Sequence, residues 1–173
     1  MNTSQNNQQA AKAQTFKALH ERTGLFVIPN PWDAGSAKML AALGFEALAT
    51  TSAGLAYILG RPDGSVSRDE ALENARAIIE ATSLPVAADL ENGYGDEPEA
   101  CAETILFAAR AGLAGGSIED FTENDEDPIY SFEHSVARIK AAVKAARSLP
   151  DPFMLTARAE NFLHGRIDLK DTI

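Results

Sequence analysis

The sequence predicts an α/β protein built on a parallel sheet, and three observations carry that expectation. Short apolar runs alternate with segments of helical apolar spacing along most of the chain. Glycine or proline separates most of these segments, as stop signals do. Three of the apolar runs end in charged residues: Asp89 and Glu91 after Ala88, Glu119 and Asp120 after Ile118, Arg158 and Glu160 after Ala157. Parallel α/β folds assemble their sites at the carboxyl ends of strands.

Residues 1–9 are polar and rich in Asn and Gln, which predicts a disordered tail; residues 10–173 make up one domain. Residues 10–22 carry Phe16 and Leu19 on one helical side, and Gly24 ends that helix. Residues 25–28 form a first strand, broken by Pro29-Asn30-Pro31. A helix over 34–43 stops at Gly44, and residues 45–51 supply the second strand. Residues 52–65 contain Gly and Pro and predict a loop. Ser67 with Glu70 three positions on is a capping box for a helix reaching Ala81. Residues 86–89 are a third strand. Pro98 opens the next helix and Gly112 closes it. Residues 117–119 lie in a fourth strand, followed by an acidic loop over 122–130. Phe132, Val136, Ile139 and Val143 mark a helix over 131–147, ended by Pro150 and Pro152. Residues 153–157 are the fifth strand, and Asp168 starts a last helix. Two architectures satisfy this order: a doubly wound open sheet, or a (β/α)₈ barrel cut short, since a full barrel takes about 250 residues.

Composition narrows the function. Of the 173 residues, 45% are apolar, enough for a packed core. The net charge of −10 argues against nucleic acid and against an anionic membrane surface. No apolar stretch approaches the roughly 20 residues of a membrane span, and the N-terminus lacks a secretory pattern. Cys101 is the single cysteine and sits in an apolar helical register, so it reads as a core residue in a reducing, cytoplasmic protein.

The charged strand ends carry the chemistry. Asp89 and Glu91 are two apart and point one way from a strand end. Two such carboxylates repel unless a cation or proton lies between them. Mg²⁺ takes few carboxylates and several waters, and Glu119 can complete that shell; the bland alternative is that these acids cap helices. Arg158 alternates with Thr156 and Glu160, which suits bidentate recognition of a carboxylate or an internal pair with Glu119 or Glu160. Thr51, Ser52 and Ala53 end the second strand with exposed amides fit for an anionic group. Asn92-Gly93-Tyr94-Gly95 allows a tight turn but lacks the dinucleotide spacing. Trp32 either walls a site or covers the end of the sheet. His20 and His134 read as surface residues; His164, after the fifth strand, is placed to reach the site mouth.

Asn30-Pro31-Trp32-Asp33-Ala34-Gly35-Ser36-Ala37, Leu59-Gly60-Arg61-Pro62-Asp63-Gly64, the run from Ala88 to Gly95, Ile118-Glu119-Asp120 and Thr156-Ala157-Arg158 together resemble the isocitrate lyase/phosphoenolpyruvate mutase superfamily. The resemblance runs from about Phe16 onward. It implies a (β/α)₈ TIM-type barrel, here incomplete at about five β/α units, in a homo-oligomer with a swapped last helix. It also implies Mg²⁺ and the making or breaking of a C–C or P–C bond next to a 2-oxo or enolate carboxylate. By motif, Asp89 is the direct metal ligand, and Asp63, Glu91 and Glu119 hold its waters. Arg158 binds the substrate carboxylate, Thr51 or its neighbour Ser52 binds an anionic group, and Asn124 is a catalytic-loop contact. Position 91 is Glu where many relatives have Asp. Residues 121–130 lack the Lys, Cys and His of the lyases that cleave isocitrate, which places the chain nearer the mutase-like branch.

Three functions compete. The first is a Mg²⁺ enzyme acting on a small 2-oxo acid or phosphonate. The second is a truncated, non-catalytic remnant that binds a metabolite or a partner subunit. The third, a phosphoacceptor-type open sheet, needs its acids at the first strand and a lysine at the fifth, where this chain has Asn30 and Arg158.

Overall fold

The computed structural model describes residues 3–172. Helices α1 (Thr3–Glu21) and α2 (Ala34–Ala42) come first. Then come β1 (Leu48–Ala49), α3 (Ser52–Ile58), α4 (Arg68–Ala81), β2 (Val86–Asp89), α5 (Pro98–Ala111) and β3 (Gly115–Glu119). The order closes with α6 (Phe132–Arg147), β4 (Met154–Arg158) and α7 (Leu169–Thr172). All pairings are parallel, in the order β1-β2-β3-β4. A helix returns the chain between successive strands, as parallel pairing requires. This is an arc of a (β/α) barrel.

Each strand alternates between two apolar layers. Val86 and Ala88 pack against the helices with Leu72, Ile78, Ile105 and Ala142. Ala87 belongs instead to a cluster with Phe16, Leu19, Ala47 and Ala114 on the concave side. Phe16 of α1 closes the floor of that concavity. Burying such a ring stabilises the fold by about 1.5–3 kcal/mol.

Several expectations need correction. Helix α1 begins at Thr3, so residues 3–9 are helical rather than a tail; Met1 and Asn2 lie outside the described residues. Two anchors hold this helix on the molecule: Gln9 Nε2 donates to the Ala109 carbonyl (2.7 Å), and Lys12 Nζ donates to those of Ile79 and Thr82. Residues 25–28 are extended but form no strand. Among the described residues its hydrogen bonds to β1 come only just after it, from the Ala49 N–H to the Pro29 carbonyl (3.1 Å) and from the Asn30 side chain; Phe26 and Ile28 pack beside Ala49, and Leu25 is 98% exposed. A strand of two residues offers too short a ladder to organise it. Residues 52–58, expected as loop, form α3, with Thr51 Oγ1 accepting from the Gly54 N–H (3.2 Å). In α6 the buried positions are Arg138, Ala142, Ala145 and Ala146, while Phe132 of the expected apolar stripe is 78% exposed. Small residues let α6 lie close to α5, so the alanine face packs deepest; Val136, Ile139 and Val143 are half-buried, with Ile139 against the core, and Phe132 faces out.

The capping box is as expected: Ser67 Oγ accepts from the Glu70 N–H, and Glu70 Oε2 accepts from the Ser67 N–H at 3.0 Å. Glu70 also pairs with Arg61, and these bonds hold its carboxyl down at about 2. Ser67→Ala should cost about 1 kcal/mol, and thermal melting should fall by about 2–4 °C. An unchanged midpoint would show that the cap is dispensable.

Candidate active site

The concave face opens at the carboxyl ends of the strands into a cavity of about 640 Å³. That volume suits a small ligand. Asp89, Glu119 and Arg158 are the last residues of β2, β3 and β4. Glu119 is the register partner of Arg158, and Asp89 of Ser117. Three adjacent strand ends therefore deliver two acids and a guanidinium to one place.

The contacts are direct. Arg158 Nη1 lies 3.2 Å from Asp89 Oδ1, and Nη2 lies 3.2 Å from Glu119 Oε2. Nη2 and Nε both reach Glu160 Oε1, at 2.8 and 3.1 Å. The Glu160 N–H in turn donates to Asp120 Oδ1 (2.8 Å). Both internal pairings weighed from the sequence are thus made. Burial works against the Arg158 charge, but Glu119 and Asp89 hold its pKa above the ordinary value. The Ser52 N–H and hydroxyl donate to Asp89 Oδ2 at 3.1 and 2.8 Å, and the Asp89 N–H donates to Thr50 Oγ1.

One cation faces too many carboxylates. Burial pushes the Glu91 carboxyl up to about 8, with Asp89, Glu123, Glu119 and Asp63 adding to the rise. Burial also lifts Glu119 to about 7 despite the pull of Arg158. Glu91 is 7% exposed, and its Oε1 is buried with no hydrogen-bond partner among the described residues. An orphaned carboxylate oxygen in a cluster of like charge is where a hard cation or a proton belongs.

Among the described residues no three His, Cys, Asp or Glu side chains lie close enough to ligate a metal directly. Mg²⁺ does not require that: it keeps several waters and takes one or two carboxylates. The donor set fits such an ion: Asp63, Asp89, Glu91 and Glu119 all line this cavity and would hold it directly or through its waters.

Asp63, Thr51, Ser52 and Ala53 all line the cavity, and so does His164, which stacks on Phe121 at 4.4 Å. Trp32 and Asn124 are not among the lining residues. Trp32 lies against Gly54 instead; a Cβ at position 54 would come within 2.5 Å of its ring. Asn124 Oδ1 accepts from the Glu126 N–H within the loop's own turn. Glu123 takes the place at the cavity, with a left-handed φ of 62°. It escaped the sequence reading because only that backbone turn aims it inward. Glu160 shares the Arg158 face in the sequence, which offers its bond to that arginine as one of two internal pairings.

Residues 16–173 match the phosphoenolpyruvate phosphomutase family. The chain belongs to that family. Within it, a 2,3-dimethylmalate lyase from Eubacterium barkeri is 36% identical over 156 residues, which are 86% of this chain and 53% of the relative. The crystal structure of a presumptive lyase/mutase from Burkholderia cenocepacia superposes with a TM-score of 0.94 at 59% identity, covering 96% of this chain and 59% of that one. A phosphonopyruvate hydrolase crystallised with oxalate and Mg²⁺ gives 0.83 at 25% identity, covering 90% and 54%. The chain therefore spans about half the length of the phosphomutase-family proteins it matches. Their TIM-like barrels extend the arc of parallel strands seen here. Among the described residues no helix is long and apolar enough to cross a membrane.

Proposed function

We propose that this protein is a Mg²⁺-dependent enzyme that makes or breaks a C–C or P–C bond of a small 2-oxo acid or phosphonate. The observation that supports this most is the meeting of Asp89, Glu119 and Arg158 at adjacent strand ends, beside a buried Glu91 oxygen with no partner. Bound Mg²⁺ would supply Lewis-acid polarisation of a substrate oxygen. Arg158 binds the substrate carboxylate through its planar fork and stabilises negative charge as an enolate-like state develops. The amides of Thr51 and Ala53 orient a second anionic group, while that of Ser52 stays on Asp89. Glu119, with a carboxyl near 7, can hold or release a proton close to neutral pH. Phe121 and His164 wall the other side of the cavity. In this reading the enzyme is a cytoplasmic homo-oligomer.

Titration calorimetry tests the metal assignment. Asp89→Ala should weaken Mg²⁺ binding by about 100-fold or more, beyond the loss usual for outer-shell partners. Equal affinity in both proteins would remove the assignment. The rival reading, a binding remnant without turnover, draws on β4, which among the described residues pairs with β3 alone and leaves Thr156 and Ala157 exposed. Turnover of any 2-oxo acid by this chain with Mg²⁺ would end that rival.

A further inference from the structure

Arg138 of α6 lies outside the cavity lining, yet it grips one of its walls. It is the largest fully buried side chain, 1% exposed. Among the described residues no carboxylate pairs with it. Its guanidinium instead donates to three backbone carbonyls: Gly95 at 2.7 Å, Asp96 and Asn92. The Tyr130 ring covers it, 4.2 Å from Cζ to the centroid. The Tyr130 hydroxyl donates to Asp96 Oδ1 (2.6 Å), and His134 Nε2 meets the Asp96 carbonyl at 2.8 Å. The Tyr130 N–H donates to the Asp120 carbonyl (3.0 Å) and so closes the loop that carries Glu123.

The segment gripped in this way is strained. Glu91 (φ 47°) and Tyr94 (φ 60°) both adopt left-handed backbone without being glycine. Such residues persist only where their surroundings over-determine them. Neither has side-chain help of its own: Glu91 Oε1 and the Tyr94 hydroxyl are buried and unpartnered.

We propose that Arg138 is the positioning residue of the β2–α5 loop. By binding the carbonyls of Asn92, Gly95 and Asp96 it fixes where Glu91 stands beside Asp89, and through Tyr130 it locks the β3–α6 loop to the same frame. The consequence for metal binding rests on the function proposed above; the mechanical hold on the loops does not. Arginine suits the task because one rigid, always-charged fork addresses three acceptors at once. Methionine matches its bulk and offers no donor. Lysine keeps the charge and loses the fork.

Amide hydrogen exchange on the whole chain, with Mg²⁺ calorimetry alongside, tests this. Arg138→Met should accelerate exchange at residues 91–96 and 121–130 at least tenfold, leave β3 and α4 protected, and weaken Mg²⁺ about tenfold. Arg138→Lys should recover part of both losses. Uniform loss of protection across the molecule, or none in the two loops, would overturn the proposal. If Arg138→Met does not fold, Tyr130→Phe decides. That variant removes one hydroxyl, so residues 121–130 should exchange faster while β2 does not; unchanged exchange in the loop would overturn the proposal. Wild-type protein that binds no Mg²⁺ would defeat the metal assignment, while the exchange pattern alone would still judge the role of Arg138.

Discussion

Metal-free protein should melt at a higher temperature at pH 5.5 than at pH 8, and saturating Mg²⁺ should narrow that gap. Glu91 and Glu119 have folded-state pKa values near 8 and 7, against 4.5 for an unperturbed glutamate. Between those limits the folded chain holds protons that the unfolded chain has released. Their stabilising contribution is therefore complete below about pH 4.5 and is lost as pH rises through 7 and 8. Each pKa unit is worth about 1.4 kcal/mol. Because the two acids repel each other, their joint effect is on the order of 5 kcal/mol, or roughly 10 °C in melting temperature for a chain of this size. Glu70 and Asp33, whose carboxyls are held low by Arg61, Ser67 and Ser36, act in the opposite direction but lose their effect only below the range compared. Mg²⁺ at 100 times its dissociation constant restores about 2.7 kcal/mol at pH 8. A flat melting profile from pH 5.5 to 8 would mean that these acids are not buried together.

The second large effect is mechanical. Gly115→Ala should destabilise the fold by about 3 kcal/mol, because overpacking here meets backbone. The new Cβ would lie 2.5 Å from the Met154 carbonyl and 2.8 Å from the Phe16 ring. Met154 is the register partner of Gly115, and its N–H donates to the Ala114 carbonyl, so relief means parting β4 from β3. The same ladder pairs Glu119 with Arg158. Gly116→Ala is the internal control: its Cβ would meet the Leu90 methyl end at 2.6 Å but backbone only at 3.3 Å, the Ala88 carbonyl, and a side-chain end yields more readily than a strand. Calorimetric melting should show the first substitution costing at least twice the second. Equal losses would show that the strand spacing is softer than the packing indicates.

The site's main axis was legible in the sequence because two regularities combine there. Asp89, Glu119 and Arg158 end apolar runs, and parallel strands align their ends, so linear pattern and spatial position coincide. Asp63 carries no such signal; it lies in a loop, and only the motif resemblance picked it out. Helix α3 was missed because Gly54 and its small neighbours look like a loop. That glycine serves the close approach of Trp32, a contact invisible in one dimension. Arg138 was missed because an arginine in a helix reads as solvent-facing. Its partners are carbonyls of a distant loop, which leave no trace in side-chain pattern. The stripe of Phe132, Val136, Ile139 and Val143 has true helical spacing, but spacing alone does not say that Arg138, Ala142, Ala145 and Ala146 are buried more deeply than it.

The strand ladder also acts as a ruler. Neighbouring strands stand about 4.8 Å apart, so the backbone positions of Asp89 and Arg158, with β3 between them, are about two such intervals apart. Arg158 spans that interval by itself, since its Nη1 stands 3.2 Å from Asp89 Oδ1, so an incoming anion has to displace one of these contacts rather than fill a gap. The spacing is in this sense a property of the hydrogen-bonded scaffold, and changing it would mean recruiting groups from loops rather than retuning the strands.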